Sequence, residues 1–212
     1  TLGANRNLTI SANTLTLGGV ISGANFGFTK LGSGTLSLGG INTYTGNTTL
    51  SAGTLIIGSA TYALGGSGTS VGTFNVNGGT LDASVIATIT NPITFGGDLT
   101  FTGSNNLTQT TGAITLGASR NLTINGSILN LGGIISGTGF GITKAGSGAL
   151  TLSAINTYTG GTTLSAGTLN INSATYALGN GSGTFTIGGG TLDALVTATI
   201  INPITFTGNV TF

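Results

Sequence analysis

Short runs in which apolar residues alternate with threonine, serine or asparagine occupy almost the whole chain, and glycine-containing turns separate them. Residues 27–59 show the pattern in the runs 35–38, 49–50 and 54–57. Alternation with a period of two is typical of β-strands that bury one face, and runs this short leave no room for a helix. The pattern predicts an all-β chain of short strands.

The same stretch occurs twice. Residues 27–59 read GFTKLGSGTLSLGGINTYTGNTTLSAGTLIIGS, and residues 141–173, 114 positions later, read GITKAGSGALTLSAINTYTGGTTLSAGTLNINS. Flanking segments recur as well: TLGANRNLTI at the start of the chain returns as TLGASRNLTI, and GTFNVNGGTLDA returns as GTFTIGGGTLDA. Such self-similarity is the sequence signature of a repeat architecture.

We therefore divide the chain into a first copy, residues 1–114, and a second, incomplete copy, residues 115–212. No linker, charge run or proline-rich hinge separates the copies, so we expect one continuous solenoid. A length difference of three residues falls in 66–72, where we expect a surface loop. Because the chain begins and ends inside a repeat, we expect it to be an excerpt from a longer protein.

Strand–turn–strand units without helices can pair as antiparallel hairpins or stack as parallel coils. Hairpin turns of the Asn-Gly type occur only in isolation, at 77–78, 125–126 and 180–181. Stacked coils of a parallel β-helix fit better, with Leu, Ile, Val, Ala and Phe inward and Thr, Ser and Asn outward. At about 4.8 Å per coil, a copy of five or six coils adds roughly 25 Å of rod. Pro92 and Pro203 should lie at or just before the first residue of a strand.

The composition of the chain limits the classes of function that it can have. Charged residues make up 3% of the chain, and the net charge is +1. This charge provides no electrostatic footprint for nucleic acid or for an anionic membrane surface. No apolar run approaches the roughly 18 residues of a membrane-spanning helix, so we expect no membrane insertion in this span. The absence of cysteine is typical of an extracellular fibre, where free thiols would oxidise.

Residues 27–59 and their copy resemble the passenger-associated transport repeat of bacterial autotransporter passenger domains. The family pattern is Thr-Lys, then Gly-x-Gly-Thr-Leu, then Asn-Thr-Tyr-Thr-Gly-x-Thr-Thr, then Ala-Gly-Thr-Leu. The first copy has it at 29–30, 32–36, 42–49 and 52–55. In the second copy, Ala149 stands at the position of Thr35. The resemblance implies a right-handed parallel β-helix, export across a bacterial outer membrane, and a repeat that serves passenger folding and secretion.

The aspartates are the first candidates for catalysis, in particular Asp82 and Asp193, which recur in GGTLDA. Cleavage of a glycosidic bond normally uses two carboxylates about 5 to 10 Å apart. Each copy has one recurring aspartate, and Asp98 is replaced by Asn209 in the second copy. We therefore expect these aspartates, at strand ends, to accept hydrogen bonds from nearby backbone amides rather than to act in catalysis.

The chain lacks the residues that other kinds of catalytic or ligand-binding site require. Without His or Cys, the chain has no base for a nucleophilic triad. Calcium sites normally use several carboxylates, and the glycine clusters 65–68 and 188–190 lack the following lysine of a phosphate-binding loop. We expect these clusters to be turns, and we expect no catalytic residue, no metal and no cofactor.

The cations, tyrosines and threonines are the candidates for ligand binding. Contact with an anionic glycan is one hypothesis for the four cations, but we favour solvated charges that protect turns and strand edges. The tyrosines could stack on sugars, although half-buried aromatic ladders are commoner. Thr-x-Thr elements at 14–16, 43–45 and 157–159 raise the idea of an ice-binding face, but their uneven spacing argues against it. The cations are Lys30, Lys144, Arg6 and Arg120, and the tyrosines are Tyr44, Tyr62, Tyr158 and Tyr176.

We expect a structural, non-enzymatic protein: a secreted β-helical rod that forms a stalk or fibre on or beyond a bacterial cell. The alternative is an adhesin passenger that binds host or surface glycans along the rod or at a distal tip. Weak charge favours self-association, end to end or side by side, because neighbouring rods repel each other little.

Overall fold

The structure, a computed structural model, describes residues 1–66 and 70–212. Its described residues form short strands joined by turns and contain no helix, so they hold no helix able to cross a membrane. The three-residue length difference predicted in 66–72, and part of the glycine cluster 65–68, fall on residues 67–69, outside the described residues.

The strands form three parallel sheets, which are the three faces of a solenoid. The first sheet contains β1 (Arg6–Thr9), β3 (Phe28–Leu31), β5 (Thr48–Leu50), β7 (Phe74–Val76), β10 (Ile93–Phe95), β13 (Ile114–Leu116) and β16 (Ile135–Ser136). The second contains β2 (Thr14–Leu17), β4 (Thr35–Leu38), β6 (Thr54–Ile57), β8 (Thr80–Ala83), β11 (Leu99–Phe101), β14 (Arg120–Ile124), β17 (Ile142–Ala145), β19 (Thr162–Leu164), β21 (Phe185–Ile187) and β23 (Ile204–Phe206). The third contains β9 (Ala87–Ile89), β12 (Leu107–Gln109), β15 (Ile128–Leu131), β18 (Ala149–Leu152), β20 (Thr168–Ile171) and β22 (Thr191–Ala194).

Each strand inside a sheet pairs with the strand one turn earlier and one turn later on the same face, and the strand at either end of a sheet pairs with one neighbour. In the second sheet, for example, Leu36 of β4 lies between Leu15 of β2 and Leu55 of β6. About nine turns stack in this way. The all-β parallel solenoid predicted from the alternating pattern is therefore confirmed, and hairpins are not used between the described strands. Pro92 and Pro203 immediately precede β10 and β23, as predicted.

The core is a continuous column of apolar side chains inside the three sheets. Leu36, Leu55, Leu81 and Phe101 come from successive turns of the second sheet, and each is at most 2% exposed. Burying a side chain of this size contributes about 1.5 to 3 kcal/mol relative to exposing it. Because each turn covers the apolar side chains of the next, stability comes from contacts between neighbouring turns.

The two sequence copies do not lie on the same faces. Strand β2 and its counterpart β15 occupy the second and third sheets, and β3 and its counterpart β17 occupy the first and second. In the second sheet, five turns separate β2 from β14, and β15 follows β14 on the next face. One copy therefore advances five turns and one face, which is about 26 Å along the axis with a rotation of a third of a turn.

Candidate functional site

A lysine lies inside the solenoid at the start of the repeated stretch. Lys30 points inward from β3, in register with Leu8 one turn before and Leu50 one turn after, and its side chain is fully buried. Its ammonium donates hydrogen bonds to the carbonyl oxygens of Leu31 at 2.9 Å, Gly32 at 2.8 Å and Ala52 at 3.1 Å. Three acceptors match the three protons of an ammonium group, so the charge is held without a carboxylate.

The second copy repeats this arrangement on another face. The ammonium of Lys144 in β17 donates to the carbonyl oxygens of Ala145, Gly146 and Ala166 at 2.9, 2.8 and 3.0 Å. Burial lowers the pKa of Lys30 and lowers that of Lys144 to about 8, because a charged group is poorly solvated inside the protein. Both lysines tie the turn that contains them to the following turn.

The Ala-Gly-Thr-Leu segment of the repeat makes room for this ammonium. Gly53, which follows the acceptor Ala52, has a φ of +68°, and a Cβ there would lie 2.4 Å from the Gly32 oxygen and 2.8 Å from the Lys30 Nζ. Gly167 has the same conformation and the same close approach to Lys144. The Thr-Lys and Ala-Gly segments are thus two halves of one structural site. We call each lysine, with its three carbonyl acceptors and the facing glycine, a lysine lock.

Buried asparagines of the INTYTG segment join three consecutive turns. The Oδ1 atom of Asn42 accepts a hydrogen bond from the Ile21 amide at 2.8 Å, and its Nδ2 donates to the Ala63 carbonyl at 2.7 Å. Asn156 repeats both bonds with Ile135 and Ala177 at the same distances. Sequence reasoning missed these residues, although INTYTG recurs without a single change and places a polar residue directly after an exposed isoleucine.

The tyrosine of the same segment also belongs to the interior. Tyr44 and Tyr158 are fully buried, and their hydroxyl groups pair with the hydroxyl groups of the inward-facing Thr48 and Thr162. Burial raises the pKa of both tyrosines, and the hydrogen bonds to the threonines only partly oppose this effect. The ring of Tyr44 packs against Phe28 with centroids 5.5 Å apart.

These positions correct several predictions. Lys30 and Lys144 were expected to be solvated surface charges or glycan contacts, and both hypotheses are wrong because the side chains are fully buried. Sugar stacking and the half-buried ladder are likewise wrong for Tyr44 and Tyr158. The sequence contains a signal for the lysine, since Phe28 and Lys30 lie two residues apart on one strand and must face the same side.

The aspartates accept hydrogen bonds from the turn that follows. The carboxylate of Asp82 accepts hydrogen bonds from the amide of Ser104 at 2.8 Å and from the hydroxyl of Ser104 at 2.7 Å. The carboxylate of Asp98 accepts a hydrogen bond from the amide of Asn121 at 2.9 Å. Burial opposes ionisation of Asp82, but the hydrogen bonds outweigh it and hold its pKa below the usual value. The expected bonding to a backbone amide is found for Asp82, but the expectation that the amide is nearby in the chain is wrong, because its donor Ser104 lies 22 residues away on the next turn. Asp193 is exposed on β22, in a different sheet from Asp82.

The arginines differ in their surroundings. The guanidinium of Arg120 donates to the carbonyl oxygens of Phe95 at 3.1 Å and Gly96 at 2.6 Å, on the preceding turn. Arg6, its counterpart, is exposed. Arg120 therefore acts as a link between turns, whereas Arg6 lies on the first turn of this sequence, which contains no earlier turn for it to bond.

A shallow polar groove recurs at equivalent positions of the two copies. In the first copy it has a volume of about 590 Å³, and its lining includes Arg6, Asn25 and Asn47. In the second copy it has a volume of about 350 Å³, and Gly139 and Gly161 stand where the two asparagines were. The position of the groove is thus repeated, and Thr29 and Thr49 recur as Thr143 and Thr163, but the two asparagine amides are not repeated.

Outward threonines form one column along the second sheet, and of the Thr-x-Thr elements only 14–16 contributes to it, through Thr14. Chain spacings within the column vary from 19 residues between Thr35 and Thr54 to 26 between Thr54 and Thr80, yet the strand register aligns them. The neighbouring column is mixed, with Ser37, Ile56 and Asp82 in succession. A uniform two-column array is therefore not formed here. The threonine column consists of Thr14, Thr35, Thr54, Thr80, Thr100 and Thr123.

Comparisons with known proteins agree with the structure. The passenger-associated-transport-repeat family matches residues 28–57 and 142–171, which contain both lysine locks. The adhesin BmaC autotransporter of Brucella suis biovar 1 (strain 1330) is 39% identical over 164 residues, which are 75% of this chain and 4% of that protein. The chain therefore spans only a small part of the curated relative it matches. No solved structure matches the chain.

The two family matches coincide with the two segments in which a buried lysine and a buried asparagine join successive turns and a buried tyrosine lies in the interior. The similarity to the adhesin extends over three quarters of the chain. The chain belongs to the autotransporter passenger domains that carry passenger-associated transport repeats.

Proposed function

We propose that this chain is a shaft segment of a bacterial surface protein, secreted as a passenger and used to hold a distal part away from the cell. The observation that carries the proposal is the continuity of all three sheets across the junction between the copies, through the pairs β11–β14, β12–β15 and β10–β13. A rod built in this way gains length with each added copy. Its role is mechanical and non-enzymatic.

The lysine locks support this proposal. A shaft is stabilised turn by turn, since each turn contacts only its neighbours. A lock adds one charge-assisted hydrogen bond between consecutive turns at a fixed place in each copy. We infer that the locks hold the register of the turns while the passenger folds outside the cell.

Electron microscopy of the full-length protein tests the shaft. Deletion of one complete copy should shorten the rod by about 26 Å, since a copy contributes five and a third turns. Power spectra of the rods should show the spacing of about 4.8 Å between turns. A compact particle, or a length that does not change with copy number, would refute the shaft.

Glycan binding in the polar groove is a second candidate, because the groove recurs in both copies. Asn25 lies at its surface with a φ of +64°, and its counterpart is Gly139 with a φ of +77°. Asn25→Gly therefore removes an amide without backbone strain. If the groove of the first copy binds neutral glycans, this variant should lose glycan binding while Thr94→Ser, on another turn of the same sheet, should not. Equal binding by both variants would exclude the groove.

A further inference from the structure

Exposed apolar side chains form a row at equivalent positions of each copy. In the first copy the row contains Val20, Ile41 and Tyr62, which are 62%, 54% and 37% exposed. In the second copy it contains Ile134, Ile155 and Tyr176, which are 51%, 57% and 40% exposed. We call these sets the apolar rows.

The members of a row come from successive turns. The Thr43 amide donates to the Ile21 carbonyl at 2.8 Å, which places Ile41 beside Val20. The Asn42 amide donates to the Tyr62 carbonyl at 3.1 Å, which places Tyr62 on the following turn. The same two bonds, Thr157 to Ile135 and Asn156 to Tyr176, build the second row. Each row therefore runs parallel to the solenoid axis.

The two rows point in different directions, because the second copy is displaced by one face. The second row lies about 26 Å along the axis from the first and is rotated by a third of a turn. A third copy would add a row on the remaining side. A row facing the first direction would return after three copies, about 77 Å along the shaft.

We propose that the apolar rows are lateral docking sites for other shafts of the same protein. The proposal rests on the shaft function proposed above. Each row exposes roughly 300 Å² of mostly apolar surface, the size of one modest patch. A stable contact between proteins needs about 800 Å² on each partner. One row is therefore too small to hold a partner, and docking requires several rows that engage together.

A second shaft is the partner that supplies such a series of rows. It has the same spacing of about 26 Å and the same rotation. A parallel neighbour that is rotated by half a revolution about its own axis presents its apolar rows opposite those of the first shaft, at the same heights along the axis. Because the rows point in three directions, each shaft can contact three neighbours. With seven charged residues in the chain and a net charge of +1, electrostatic repulsion between shafts is weak. Avidity along the shaft converts weak row-to-row contacts into stable bundling.

The test compares three forms of the full-length protein by electron microscopy and sedimentation. The wild type should form parallel bundles as its concentration rises. Ile41→Asn with Ile155→Asn, repeated in any further copies, should remain as single rods, because both isoleucines are more than half exposed and contribute little to folding. Thr49→Asn with Thr163→Asn, outward positions away from the rows, should bundle like the wild type.

The outcomes separate this inference from the shaft function. Rods that never bundle, or that bundle equally with and without the row isoleucines, would overturn the docking inference and leave the shaft intact. Row-dependent binding to phosphatidylcholine vesicles, without bundling, would also overturn it. Particles that are not rods would refute the shaft itself.

Discussion

The ammonium group of Lys30 donates a hydrogen bond to the carbonyl oxygen of Ala52, which lies on the next turn of the solenoid, 3.1 Å away. Lys144 and Ala166 repeat this bond at 3.0 Å. The bond connects the two ends of the repeated motif, and it explains why a lysine and an Ala-Gly pair belong to the same pattern. An isolated charge inside a core is costly, but a charge with all its protons bonded to carbonyls is tolerated.

Loss of the lysine should destabilise the solenoid. Lys30→Met keeps a long apolar side chain but leaves the carbonyls of Leu31, Gly32 and Ala52 without their donor. Leaving buried polar groups unpaired costs about 1 to 3 kcal/mol. Urea denaturation should show this loss for Lys30→Met, whereas Thr94→Ser, at an outward position of β10, should unfold like the wild type. Equal stability of all three proteins would show that the lock contributes nothing.

The glycine that faces each lysine should be required for two reasons: a side chain there would clash with neighbouring atoms, and the backbone has a positive φ. Gly167 and Gly139 have similar φ values of +70° and +77°, but a Cβ at Gly167 would lie 2.2 Å from the Gly146 oxygen, while a Cβ at Gly139 would meet no atom within 4 Å. Gly139→Ala should cost about 1 kcal/mol, the penalty for the left-handed conformation alone. Gly167→Ala should cost clearly more in thermal or urea unfolding. If the two variants are equally stable, steric exclusion at the lock is wrong.

The asparagine that joins three turns should protect a specific amide from exchange. Asn42→Ala removes the acceptor of the Ile21 amide and the donor to the Ala63 carbonyl. Hydrogen exchange of Ile21 should accelerate strongly, while Ile135, which is bonded to Asn156 in the second copy, should keep its protection. Fast exchange at both amides would mean that the variant unfolds more widely than the local contact predicts.

Alkaline pH should unfold the solenoid through its buried tyrosines. The pKa values of Tyr44 and Tyr158 are raised in the folded state, so above pH 10 the unfolded chain loses protons that the folded chain keeps. The contribution of the tyrosines to stability is fully present below pH 10 and is lost above it, by up to about 1.4 kcal/mol per tyrosine and pH unit. The lowered pKa of Lys144 acts in the opposite sense between about pH 8 and 10.5. Unfolding between pH 9 and 12 should show this decline. The double variant Tyr44→Phe with Tyr158→Phe should lack most of it, and an unchanged slope would assign the decline to other groups.

The local alternation of apolar and polar residues was sufficient to predict much of the fold. The alternating runs 35–38 and 54–57 are strands β4 and β6, and the prolines of NPITF precede strands as their missing amide requires. Candidate site residues were harder to predict. The bonding of Asp82 to backbone amides was foreseen, but its donor is Ser104, 22 residues away on the next turn. Such a donor depends on which segments are stacked.

The residue pattern was sufficient to predict an all-β solenoid of repeated copies, because period-two alternation and glycine turns act within a few residues. The rotation of the second copy by one face could be seen only once the turns were stacked. It depends on how many residues each turn contains, from 19 between Thr35 and Thr54 to 26 between Thr54 and Thr80. The length of a turn depends on the loops between its strands and on the hydrogen bonds that its strands make with the neighbouring turns. These hydrogen bonds exist only when the turns are stacked.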